Sequence, residues 1–152
     1  MHIQGHFFRT TFAVLSVIVS ITACSTSGTS ANAVNTPSLA PTLAPLPAIV
    51  SAYSEAWVAL DGEKVLATFA QDGIYVDPQV PKGLTGKAIA SYVNAYKGIT
   101  VKIGGYRFLP DGRPETTWKV YDQKGTLLAQ GRDHFTLANG KIVRMEAFFD
   151  PM

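Results

Sequence analysis

Apolar residues change their period twice along this chain. They crowd together from Phe12 to Ile21, with only Ser16 and Ser20 between them, recur every three or four positions from Ile49 to Tyr96, and alternate with polar residues after Ile99. The middle spacing is helical. Ile49, Ala52, Tyr53, Ala56 and Leu60, with Trp57 alongside, predict a helix over about 48–60 that ends near Asp61-Gly62. Val65, Leu66 and Phe69 predict a second, short helix from Glu63 to Ala70. Asp72-Gly73 reads as a turn, and Ile74 to Asp77 as a short strand stopped by Pro78, because proline cannot donate to a ladder. Residues 79–85, with Pro81 and Gly83, read as a loop. Ala88, Ile89, Tyr92, Val93 and Tyr96 predict a third helix over Lys87 to Lys97, closed by Gly98.

The alternating region predicts strands. Ile99 to Leu109 forms one, with Gly104-Gly105 marking a bulge or bend. Thr116 to Tyr121 is the next, with Trp118 and Val120 on one face. Residues 126–138 and 141–149 follow, joined by Asn139-Gly140, which suits a two-residue type I′ hairpin. Helices first and a meander after them make an α+β domain, with the helices covering one face of a curved sheet. A ligand pocket is expected in the concave space between them.

Side chains on a strand alternate between faces. Asp133, Phe135 and Leu137 therefore share one face, and Arg132, His134 and Thr136 share the other. On the return strand Val143, Met145, Ala147 and Phe149 face together. The hairpin's apolar face thus carries a single carboxylate, Asp133, which is costly unless paired, hydrogen-bonded or protonated.

The apolar run from Phe12 to Ile21 is about ten residues, too short to span a bilayer as a mature helix. It follows a segment with Arg9 and no acid, in the order of a secretory signal. Ile21-Thr22-Ala23-Cys24 resembles the lipobox of bacterial lipoproteins. That resemblance implies a signal peptide over 1–23, cleavage before Cys24 and a lipid on Cys24. Residues 24–47 then read as a tether of Ser, Thr, Ala, Asn and Pro without charge, and 48–152 as the folded domain. The expected location is the outer membrane, facing the periplasm, in a double-membraned cell, and otherwise the outer face of the cytoplasmic membrane.

Composition narrows the chemistry. Cys24 is the only cysteine, so the domain holds no disulfide and no thiol nucleophile. His134 is the only histidine after the signal, which leaves no multi-histidine metal site. Removing Arg9 from the 13 basic residues leaves 12 against 11 acidic ones, so nucleic-acid binding has no electrostatic support. No metal or cofactor is expected.

Phe69 to Pro78 looks like the turn, strand and Asp-Pro element of nuclear-transport-factor-2-like (NTF2-like) proteins, and Gly131 to Asp150 like their final hairpin, with its Asp-His-Phe triplet. The chain resembles SnoaL-like and ketosteroid-isomerase-like domains over nearly all of 48–150. This implies an NTF2-like cone, with three helices packed on a strongly curved, mainly antiparallel sheet. It also implies catalytic roles for Asp77 as general base and Asp133 as protonated oxyanion donor, a pairing familiar from ketosteroid isomerases. The family's helix-borne tyrosine aligns nearest Glu55, with Tyr53 two residues away. Ala147 stands where the limonene-epoxide-hydrolase branch needs an aspartate.

The expected ligand is a small apolar or carbonyl-containing molecule, with Tyr53, Trp57, Trp118, Phe135, Met145 and Phe149 around it. Bland alternatives stand beside these roles. Asp77 can simply hydrogen-bond the loop after it. Asp133 can pair with Arg107 or Arg144. The aromatic residues and Met145 can be core, and His134 belongs on the outer sheet face. The function is then either small-molecule binding with Asp-mediated proton transfer of isomerase or cyclase type, or a non-catalytic binding or assembly module of the cell envelope. The outer sheet face could pair two copies into a homodimer.

Overall fold

The computed structural model describes residues 44–152. The expectations for the signal peptide, for Cys24 and for most of the tether lie outside the described residues. The first helix, α1 (Ala48–Val58), follows directly on Pro47. It turns Val50, Tyr53 and Ala56 inward at helical spacing. Asp61 then caps α2 (Gly62–Thr68), its carboxylate accepting from the Lys64 amide at 3.0 Å. Gly62 lies against the backbone of Ala90 in α3 (Lys87–Asn94), so closely that a Cβ there would collide with the Ala90 carbonyl. The three helices and one face of the sheet share a core that includes Tyr53, Val65, Ile89, Phe135, Ile142 and Met145.

Among the described residues the sheet has six strands: β1 (Phe69–Asp77), β2 (Val80–Thr85), β3 (Thr100–Phe108), β4 (Pro114–Tyr121), β5 (Leu127–Ala138) and β6 (Lys141–Phe149), in the order β2-β1-β6-β5-β4-β3. Among the described residues only β1 and β6 pair in parallel. The expected meander is thus β3 to β6, and two further strands extend it.

Three local expectations are corrected. The second helix stops at Thr68, and Asp72-Gly73 is not a turn but lies inside β1, where an irregular register on β6 absorbs it. Residues 80–85 are a strand, not a loop. They hold an edge position, which tolerates Pro81 because one side of the strand has no ladder to serve. In β6, Thr136 pairs with Arg144 but Leu137 with Ile142, so Val143 is looped out and Ile142 takes the buried position expected of Val143. From Met145 onward the expected alternation holds. The Asn139-Gly140 turn has positive φ at both residues, as a type I′ hairpin needs. The paired glycines make a bulge, with Gly104 and Gly105 facing one residue of β4 between the Ile103–Trp118 and Tyr106–Thr116 pairs.

Candidate functional site

Helices and sheet enclose an open cavity of about 300 Å³. Tyr53 and Trp57 of α1, Asp77 of β1, Trp118 of β4, Asp133 of β5 and Phe149 of β6 all line it. Phe135 and Met145 do not. Both were expected beside the ligand, but each is fully buried in the core behind the cavity wall. Phe149 is 42% exposed, and its ring meets that of Trp118 edge-on at 5.2 Å.

Asp133 stands opposite Thr116 on β4 and Ala147 on β6. The Trp118 indole N–H donates to its Oδ1 at 2.8 Å. This diagonal contact depends on Gly131, the residue directly across from Trp118. A side chain there would meet the Trp118 ring and the Phe148 carbonyl, so glycine lets the indole lie flat over β5. Neither arginine considered for Asp133 reaches it, since Arg107 pairs with Glu115 and Arg144 with Glu146. Burial without a cation pushes the Asp133 carboxyl up to about 7. The Trp118 hydrogen bond opposes that rise, the charge of Asp77 adds to it, and the adjacent Tyr53 hydroxyl weakly opposes it. Burial likewise keeps the Tyr53 phenol protonated well beyond the ordinary tyrosine range. The Trp57 indole N–H is buried without a hydrogen-bond partner among the described residues. Glu55, the position aligned with the family's tyrosine, is exposed; Tyr53 brings a hydroxyl from α1 to the cavity.

Asp77 has a different setting. Its Oδ1 accepts the amides of Gln79 at 2.7 Å and Val80 at 3.1 Å, an Asx turn that redirects the chain into β2. Its Oδ2 accepts the hydroxyls of Tyr75 at 3.0 Å and Tyr92 at 2.7 Å. The network continues from Tyr92 to Tyr96 at 2.7 Å, and from Tyr96 to the Gln79 side chain at 3.1 Å. Four donors fill the four lone-pair positions of a carboxylate. Asp77 is therefore a hub for loop and tyrosines, and it could take a substrate proton only by releasing one of them. Tyr75, Gln79, Tyr92 and Tyr96 were not foreseen as site residues. The signals were a Tyr-Val-Asp alternation that places Tyr75 beside Asp77, and a Tyr pair four residues apart, Tyr92 on α3 and Tyr96 just past its end.

His134 lies on the sheet's outer face, as alternation requires, with Nε2 2.6 Å from Glu115 Oε2. It has no access to Asp133 or the cavity.

No protein-family model matches the chain, and no curated protein does. Solved structures do. A candidate polyketide cyclase from Sinorhizobium meliloti is 25% identical over 68% of this chain and 95% of its own, with a TM-score of 0.57. A candidate isomerase of the SnoaL-like family from Agrobacterium tumefaciens is 24% identical over the same shares, also at 0.57. A candidate ketosteroid isomerase from Kribbella flavida is 20% identical over 70% of this chain and 78% of its own, at 0.56. The chain shares the NTF2-like fold of these SnoaL-like and ketosteroid-isomerase-like proteins, the general fold of isomerases and cyclases of this kind.

Proposed function

We propose that this domain binds a small, mainly apolar molecule in the cavity, and that Asp133 holds the molecule's carbonyl or hydroxyl oxygen. The observation that carries this reading is a buried carboxyl, without a cation, facing an aromatic and aliphatic cavity. Protonated, it donates a hydrogen bond to a carbonyl oxygen and stabilises the enolate that forms if a neighbouring carbon loses its proton. Proton transfer of isomerase or cyclase type would then use Asp133 as the oxyanion partner and Asp77 as the base, after Tyr75 or Tyr92 gives way. The saturation of Asp77 favours a second reading, binding without turnover.

One probe separates the two. 1-Phenyl-2-propanone should bind saturably below pH 7, where Asp133 is protonated, and quench tryptophan fluorescence. With catalysis, its α-protons exchange into D2O faster than in buffer, as proton NMR reads, and Asp133→Asn abolishes the gain. Saturable binding without exchange establishes the non-catalytic reading. No saturable binding removes the site.

We also propose that lipid on Cys24 holds the domain at a membrane. Metabolic labelling with a fatty acid should mark the wild type and not Cys24→Ser, and the variant should leave the membrane fraction. An unlabelled wild type would overturn the anchor.

A further inference from the structure

We propose that the Asp77 end of the cavity receives an organic ammonium ion, a protonated or quaternary amine with an apolar body, inside a ring made by Trp57, Tyr75, Tyr92 and Tyr96. This deepens the binding role above and rests on it: the ammonium group sits at one end of the molecule that Asp133 holds at the other.

The four aromatic rings close a circuit. Trp57 and Tyr75 centroids are 6.2 Å apart, Tyr75 and Tyr92 5.4 Å, Tyr92 and Tyr96 5.1 Å, and Tyr96 and Trp57 5.9 Å. They come from α1, β1, α3 and the segment just after α3, and all line the cavity. A cation is attracted to the negative face of an aromatic ring, most strongly where water is displaced. Tyr75 and Tyr92 also donate their hydroxyl protons to the Asp77 carboxylate, which leaves their rings richer in electrons and fixes their orientation. Burial holds the hydroxyls of Tyr75, Tyr92 and Tyr96 protonated, so the rings stay neutral donors.

The charge inventory points the same way. Among the described residues two carboxyls, Asp77 and Asp133, line the cavity and no lysine, arginine or histidine does. An anion entering would be desolvated with no counter-charge, at a cost that excludes it. A cation meets Asp77 just behind the ring. The four donors on Asp77 fill its lone pairs but leave its charge in place, so it attracts a cation through the tyrosines without taking its proton.

Isothermal titration calorimetry of the folded chain at pH 6, where Asp133 is protonated and phenylacetate is still an anion, tests this with three probes of similar size: benzyltrimethylammonium, 1-phenyl-2-propanone and phenylacetate. The cation should bind at least about tenfold more tightly than the ketone, and phenylacetate should bind weakest. Trp57→Leu should weaken the cation about tenfold and the ketone less than about twofold. Tyr96→Leu, a change at a half-buried ring, repeats the test if Trp57→Leu fails to melt cooperatively. A ketone or phenylacetate that binds as tightly as the cation, or a variant that weakens cation and ketone alike, overturns the ammonium site while the binding role stands. If the ketone also fails to bind at any pH, the binding role falls with it.

Discussion

Glu115 and Asp133 are buried carboxylates on adjacent strands of one sheet, on opposite faces, and their protons behave oppositely. On the outer face, burial of Glu115 would raise its pKa, but hydrogen bonds from Arg107 and His134 outweigh that and hold it below the usual range. On the cavity face Asp133 has an indole and a phenol but no cation, and burial prevails, to about 7. Burial does not decide whether a carboxyl keeps its proton; the charge of its partners does. The outer pair is built to be ionised and structural. The inner carboxyl can gain or lose a proton near neutrality, which a binding or proton-transferring group needs.

The largest effect that sharpens this contrast comes from Asp133→Asn. An acid with a raised folded pKa stabilises the fold below its unfolded value, near 3.9, and loses that contribution as pH rises through its folded value. The rise to about 7 corresponds to about 4 kcal/mol, lost between pH 4 and 7. Asparagine still accepts from Trp118 and escapes this loss. Urea denaturation should find Asp133→Asn more stable than wild type at pH 8 by about 3 kcal/mol, with no gain at pH 4.

Glu115→Gln should act in the opposite direction. A carboxylate with a lowered pKa stabilises above its unfolded value, and that contribution disappears as pH falls through the folded one. The variant should lose about 2 kcal/mol at pH 7, from weakened bonds to Arg107 and His134, and approach wild type near pH 3. Equal pH profiles for the two variants would break the contrast.

Asp77 is the intermediate case, satisfied by neutral donors. Tyr92→Phe removes one of its four, at a cost of about 1 kcal/mol by thermal melting. The smallest effect belongs to Arg107→Ala. The side chain is 62% exposed and its charge is screened by solvent, so its removal should change thermal melting least, with Glu115 keeping its bond to His134.

Much of the contrast could be read from the sequence, where it depended on short-range rules. Alternation along β5 put Asp133 with Phe135 and His134 on the far side, and Asn139-Gly140 fixed where the strand turns back. What escaped depended on register between distant segments. The parallel pairing of β1 with β6 joins segments about seventy residues apart. It alone makes Asp72-Gly73 part of a strand. The indole of Trp118 reaches Asp133 only because β4 and β5 place Gly131 opposite it, and no local pattern marks that glycine as the reason. Tyr92 and Tyr96 read as an apolar helix stripe because periodicity does not distinguish a phenol's ring from its hydroxyl. Phe135 and Met145 share the inward face with Asp133, and alternation cannot tell which part of a face lines a cavity and which fills a core.

The central claim is that Asp133 holds a proton near neutral pH because the cavity offers it no cation. Carbon-13 NMR of the side-chain carboxyl, assigned by comparison with Asp133→Asn and followed from pH 3 to 9, reads that proton directly. The account predicts a single inflection near pH 7 for Asp133. An inflection below about 4, the ordinary aspartate range, would contradict it, since a carboxylate ionised throughout cannot donate to a ligand oxygen.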